Sequence, residues 1–219
     1  MKFLAVASVL AASLSAHAIV IDSFMAGPYD SGSITSVGPL FTATQNGPTT
    51  DIIGGIREVK QQLFANPLGT NGGARMTVGS GVMAVSQAPM TDGQYALFYG
   101  NPGNFLNKDM SAETAFQFDL LFNDLAPLRL NLRVGTNGFG SSNAIVNLPV
   151  VTSGPQTVVV PFAAFTGAAQ WNDIDSVRFF FDTETSGDFA IGQISTVPEP
   201  TAFAALAIGG YVLLRRRRR

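Results

Sequence analysis

The 219-residue sequence contains no cysteine and one histidine, His17. Without thiols there is no disulfide framework, thiolate nucleophile or cysteine-ligated zinc or iron–sulfur centre. His17 falls in an N-terminal leader that reads as removable. A chain lacking both residue types cannot assemble a Ser-His-Asp triad, a Cys-His pair or an imidazole-ligated zinc site. Catalysis would be left to carboxylates, Lys, Tyr, Ser and Thr. Charge is scarce as well: charged residues make up 13% of the chain, against roughly 25% in an average soluble domain. The formal net charge of −2 conceals segregation. Lys2 lies in the leader and Arg215, Arg216, Arg217, Arg218 and Arg219 close the chain, so residues 19–196 carry seven basic and fourteen acidic side chains. An acidic middle with scattered basic residues argues against a nucleic-acid-binding face.

What is present begins with two apolar ends. Lys2, an apolar run over residues 3–14 and then Ala16, His17 and Ala18 form a secretory signal pattern, with small residues where signal peptidase reads them. Cleavage after Ala18 would leave Ile19 first. At the other end stand Val197, Pro198, Glu199 and Pro200, an apolar stretch over residues 201–214, and the five arginines. The prolines hold Glu199 extended, in the shape a processing enzyme accepts as a strand. Thr201 is a suitable cap for a helix that follows. Fourteen helical residues span roughly 21 Å, short of the roughly 30 Å hydrocarbon layer. Snorkelling arginines at an anionic cytoplasmic surface lengthen and orient such a span, leaving the body of the protein outside.

The Val-Pro-Glu-Pro motif, short apolar helix and terminal arginine cluster resemble the PEP-CTERM sorting domain of Gram-negative bacterial proteins. The resemblance covers residues 197–219. It implies export, transient anchoring in the inner membrane, removal of the tail near Pro198 to Pro200 by an exosortase-type membrane protease, and delivery to the outer surface or extracellular matrix, often where exopolysaccharide is made. The division expected is a signal peptide over 1–18, a folded domain over 19–196 and a sorting and anchor segment over 197–219.

The folded domain reads as β throughout. Phe116, Phe118, Leu120 and Phe122 alternate with more polar neighbours, as do Leu128, Leu130, Leu132 and Val134, the period-two mark of half-buried strands. The Asn- and Asp-rich turn between them predicts an antiparallel hairpin. Further strands are predicted over 20–24, 52–60, 74–79, 82–87, 94–99, 144–150, 156–161, 176–182 and 189–194. Residues 27–50 read as a long mobile loop with a short strand near Ile34. About ten short strands without a helical period predict an all-β, antiparallel two-sheet jelly-roll sandwich. Ile19 to Phe24 with Gly54, Gly55, Ile56, Arg57 and Glu58, together with Asp175 to Phe181 and Asp188 to Ile191, look like the first and last strands of galactose-binding-like jelly rolls, a group that includes many carbohydrate-binding modules.

Four kinds of site are weighed. In the predicted hairpin, Asp119, Arg129, Asn131 and Arg133 share a polar face that could hydrogen-bond sugar hydroxyls; the plainer reading is a solvated face with cross-strand pairs. Trp171, Tyr95, Tyr99 and Phe139 are candidate aromatic platforms, with Trp171 equally suited to sealing one end of the core. The jelly-roll resemblance implies a structural calcium where the first and last strands meet, matching Asp22 and Asp188. Glycosidase chemistry needs two carboxylates about 5–9 Å apart, and Glu58, Glu113 and Glu184 show no motif that pairs them. The reading is a non-enzymatic, exported surface or matrix protein for which polysaccharide is the candidate ligand; a secreted carbohydrate-active enzyme using a carboxylate pair and a purely structural matrix component are the alternatives.

Overall fold

A computed structural model describes residues 17–124, 128–138, 140–183 and 185–199. The leader before His17, Phe139, Glu184, Pro200 and the apolar and arginine segments of the tail lie outside the described residues. Among the described residues fourteen strands follow one another: β1 (Val20–Asp22), β2 (Tyr29–Asp30), β3 (Leu40–Asn46), β4 (Ile56–Ala65), β5 (Ala74–Gly79), β6 (Val82–Gln87), β7 (Asp92–Tyr99), β8 (Glu113–Asn123), β9 (Leu128–Thr136), β10 (Gly140–Leu148), β11 (Gln156–Pro161), β12 (Thr166–Gly167), β13 (Ser176–Thr183) and β14 (Phe189–Pro198). The first sheet runs β11-β8-β14-β6-β5-β2, with β1 also on β14; the second runs β12-β10-β9-β13-β7-β4-β3. All strand pairings are antiparallel. The two-sheet jelly-roll sandwich expected from the sequence is present. Among the described residues no helix is long and apolar enough to cross a membrane.

The core forms because alternate residues of each strand face the opposite sheet. Phe116, Phe118, Leu120, Val160, Ile191 and Ile194 from the first sheet meet Val59, Leu97, Leu130, Leu132, Phe179 and Phe181 from the second. Aromatic edges interlock across the gap, with Phe118 and Phe181 centroids 6.4 Å apart and Phe181 and Phe189 5.2 Å apart. Fully burying each such side chain contributes about 1.5–3 kcal/mol.

Inside this apolar layer sits one ionic cluster. Asp22 and Arg57 are fully buried, and Arg57 Nη1 donates to Asp22 Oδ1 at 2.9 Å and to Oδ2 at 2.7 Å. Asp22 also accepts from the Tyr99 hydroxyl at 2.7 Å and the Phe24 N–H at 2.8 Å. Arg57 reaches Gln45 Oε1 and the carbonyls of Ala26 and Gly27. Gly27 has φ of +61°, and a Cβ there would meet Gln45 Cβ at 2.8 Å, so glycine is required for this approach. Burial raises the Asp22 carboxyl above its ordinary range against the pull of Arg57, and raises the Tyr99 hydroxyl further, keeping it a donor.

The structure corrects three sequence expectations. The hairpin over 116–134 does not form: β8 pairs β11 and β14 in the first sheet, whereas β9 pairs β10 and β13 in the second. The chain crosses between sheets at the turn, which carries the same residue types as a hairpin turn. Phe122 points outward, because β14 skips Leu121 between its pairings with Leu120 and Phe122, and such a bulge inverts the alternation. Residues 27–50 are not one long loop but hold β2 and the seven-residue β3, an edge strand with Leu40, Thr42 and Thr44 exposed on one face and Phe41, Ala43 and Gln45 turned to the core on the other.

On the surface, Arg75 grips Asp30 through two hydrogen bonds, Nε to Oδ1 at 2.8 Å and Nη2 to Oδ2. These contacts, then the Gly32 N–H, lower the Asp30 carboxyl from 3.8 to about 2. A depressed carboxyl adds stability above its unfolded value that is lost as pH falls through about 2. Carboxyl-carbon titration by NMR should place Asp30 near 2, and Arg75→Gln should return it toward 3.8; no movement would assign the depression to Gly32 instead.

Candidate functional site

The outward residues of the second sheet form a ruled surface. One rung runs Asn143, Arg133, Arg178, Phe98, Glu58 and Thr44; the next runs Ile145, Asn131, Phe180, Ala96, Lys60 and Thr42; a third runs Asn147, Arg129, Asp182, Gln94, Gln62 and Leu40. Alternation places them there. In β13 the side chains of Val177, Phe179 and Phe181 are buried, so Arg178, Phe180 and Asp182 face out; in β7 inward Tyr95, Leu97 and Tyr99 leave Gln94, Ala96 and Phe98 outward.

At the centre of the face Phe98 and Phe180 meet edge to face at 5.1 Å. Lys60 Nζ lies 4.3 Å from the Phe98 centroid and the Arg178 guanidinium 5.1 Å from it, two cations on one ring. Lys60 also pairs with Glu58 at 3.1 Å, and Asn101 Nδ2 donates to Glu58 Oε2 at 2.8 Å. Two polar atoms of the face lack partners among the described residues: Asn131 Oδ1 and Arg178 Nε. They belong to diagonal neighbours on adjacent strands, because Asn131 is opposite Phe180 and Arg178 opposite Arg133. Both atoms are covered by neighbouring side chains, so a ligand reaches them only when those side chains turn aside; each unpaired group costs free energy where it is buried.

Of the residues singled out in the sequence, Arg129, Asn131 and Arg133 lie together on this face. Asp119 does not join them. It is on the outer side of the first sheet, opposite Thr157, whose hydroxyl donates to its Oδ1 at 2.9 Å. Tyr95 and Tyr99 are fully buried and serve the core, not a platform. Trp171 stacks on Phe162 at 3.7 Å and 7°, with Phe165 edge-on at 5.3 Å, so it seals one end of the sandwich. Phe139 is outside the described residues.

Asp22 and Asp188 are not brought together. Asp22 pairs with Ile194, while Asp188 precedes the start of β14 at Phe189, separating them by about 20 Å along the strand. Asp188 accepts from the Gln87 N–H at 2.7 Å, and both Asp22 oxygens are taken by Arg57. The pair does not fit a shared calcium ion. Glu58 and Glu113 also sit apart, Glu58 on the outer face of the second sheet and Glu113 in β8 of the first; Glu184 is outside the described residues.

The sequence reading missed Lys60, Phe98, Phe180 and Arg178. Their signal was present in runs without alternation. Residues 95–99 and 178–181 place large side chains on both faces of a strand, so one aromatic in each run must point away from the core.

No family model matches the chain, and no curated protein matches it. Among solved structures, it is similar to the family 11 carbohydrate-binding module of the cellulosomal cellulase Lic26A-Cel5E of Clostridium thermocellum, with 19% identity, TM-score 0.41, and 79% of this chain and 95% of that one covered. It is also similar to a variant of a family 29 carbohydrate-binding module, with 12% identity, TM-score 0.35, and coverage of 63% and 91%. A third likeness is to the carbohydrate-binding and catalytic modules of the Clostridium thermocellum xylanase 10B, with 10% identity, TM-score 0.40, and coverage of 84% and 29%.

Proposed function

We propose that this chain is an exported, non-enzymatic surface or matrix protein whose sandwich binds polysaccharide on the outer face of its second sheet. The observation that carries the binding reading is the half-buried Phe180 ring flanked by Arg178 and Asn131, braced edge to face by Phe98, which is itself buried beneath Lys60 and Arg178. Sugar rings present flat C–H faces to aromatic rings and hydroxyls to planar amides and guanidiniums, and this face offers both on rigid central strands.

Export is supported by the leader and tail patterns, and the geometry of the two ends is compatible with it. Ile19, the first residue after the proposed leader, donates its N–H to Thr196 Oγ1 at 2.8 Å, and Val20 pairs with Ser195. Leader and sorting motif therefore depart from the same end of the sandwich, as a domain held to one membrane by both ends requires. The proposed route is transient anchoring in the inner membrane, removal of the tail by an exosortase-type protease, and release to the outer surface or the extracellular matrix. Intact mass of the protein recovered from the cell surface tests both cleavages, since retention of the arginines on a cytosolic product would end this reading.

The binding reading is tested on a glycan array with the full-length chain and its Phe180→Ala variant. Loss of the ring should weaken saccharide binding tenfold or more, about 1.4 kcal/mol, with an unchanged circular dichroism spectrum. Saccharide turnover abolished by a single Glu58 or Glu113 substitution would replace it with the enzymatic alternative.

A further inference from the structure

We infer that the saccharide taken by this face is anionic, a polymer whose acid groups are held by Arg133 and Arg178. The inference rests on the sugar-binding reading above and names its ligand class.

Charge distribution carries it. The outward face of the second sheet holds Lys60, Arg129, Arg133 and Arg178, four of the seven basic residues in 19–196, but only Glu58, Asp92 and Asp182 of its fourteen acids. The remainder of the domain is strongly acidic, so its few cations are concentrated where the aromatic pair lies. Within the face, charges are divided again. Glu58 is occupied by Lys60 and Asn101. Asp182 lies two rungs from Arg133, opposite Arg129, and Asp92 is at the far end of β7.

At the other end Arg178 and Arg133 are directly opposite each other, on strands about 4.8 Å apart. Like charges in that relation destabilise a sheet. No carboxylate among the described residues lies within ion-pair distance of either. Arg178 is fixed over Phe98 rather than free to swing away, and its Nε has no acceptor. A carboxylate or similar acid group placed between the terminal nitrogens of the two guanidiniums relieves their repulsion. The half-buried Phe180 ring alongside favours a sugar backbone over a polyphosphate, since it offers an apolar ring surface to C–H faces.

Affinity electrophoresis of the full-length chain decides the matter, with gels carrying polygalacturonate, the same polymer reduced to neutral galactan at its carboxyls, polyglutamate or oligothymidylate. Polygalacturonate should retard the protein at least tenfold more strongly than the reduced polymer, and added salt should weaken the effect. Arg133→Gln and Arg178→Gln should each lower affinity at least fivefold, while Arg75→Gln on the opposite sheet should leave it unchanged. Arg133 is exposed, so its variant retains the fold even if loss of the Arg178 contact with Phe98 does not. Equal retardation by acidic and reduced polymers, still sensitive to Phe180→Ala, would overturn the anionic class and leave sugar binding standing. Retardation by neither polysaccharide would remove both. Polyglutamate or oligothymidylate matching polygalacturonate would overturn the inference in favour of plain charge attraction.

Discussion

Arg57→Met should destabilise the domain by about 3–5 kcal/mol in urea unfolding, the range for removing one partner of a buried ion pair. The change leaves Asp22 fully buried with only Tyr99 and the Phe24 N–H as donors, and strips the Ala26 and Gly27 carbonyls of theirs. Against a total stability of about 5–15 kcal/mol, that loss is large. The double variant Asp22→Leu, Arg57→Met should recover much of it, because two apolar side chains of similar bulk avoid the isolated charge. The pair therefore need not add net stability. Its position indicates another role: Asp22 belongs to β1 of the first sheet, while Arg57, Tyr99 and Gln45 come from β4, β7 and β3 of the second. It fixes how the first strand meets the opposite sheet. A loss below about 1 kcal/mol in the single variant would show that water or a neighbouring group reaches Asp22.

Strand identity was legible wherever side chains alternate between core and solvent. β5, β6 and β11 have the bounds expected from the sequence, because a half-buried strand writes its period into the residue pattern. Pairing was not legible in the same way. Asn123 and Asp124 suit a hairpin and a crossing between sheets equally well, and only the partners of β8 and β9 distinguish the two. The error moved Asp119 onto the wrong sheet and hid the company that Arg129, Asn131 and Arg133 keep. Phe98 and Phe180 belong to the same failure. Each looks like one more core aromatic until its strand is seen to have Tyr99 or Phe179 already facing inward. Asp22 was found for its position beside the last strand but assigned to a cation. The cation present is the guanidinium of Arg57, thirty-five residues along the chain, which no local pattern announces.

The end of the domain gives the second large effect. β14 was expected to stop near Ile194, yet it continues to Pro198, with Thr196 opposite Phe116, Val197 opposite Ala115 and Pro198 opposite Glu113. Ser195 and Thr196 are buried, the Thr196 N–H donates to Ile19 O at 2.9 Å, the Thr114 hydroxyl donates to Val197 O at 3.0 Å, and the Glu199 N–H donates to Ala112 O at 2.8 Å. A chain ending at Ile194 loses all of these. With the Ile19 N–H to Thr196 Oγ1 bond as the fourth, at about 1 kcal/mol net per bond the cost is on the order of 4 kcal/mol before lost burial is added, so it should melt far below a chain ending at Glu199. The first half of the proposed sorting motif is thus part of a central strand. An enzyme that binds residues 197–200 as an extended segment competes with β8 for the same backbone groups. Membranes containing the processing enzyme should cut the folded protein at least tenfold more slowly than a peptide spanning residues 195–214, and Thr114→Val should narrow the gap by freeing Val197. Equal rates on folded protein and peptide would mean that this stretch of β14 frays at no cost. A slow folded substrate would place tail removal before the sheet closes, when the last strand has left the exporting channel and has not yet paired.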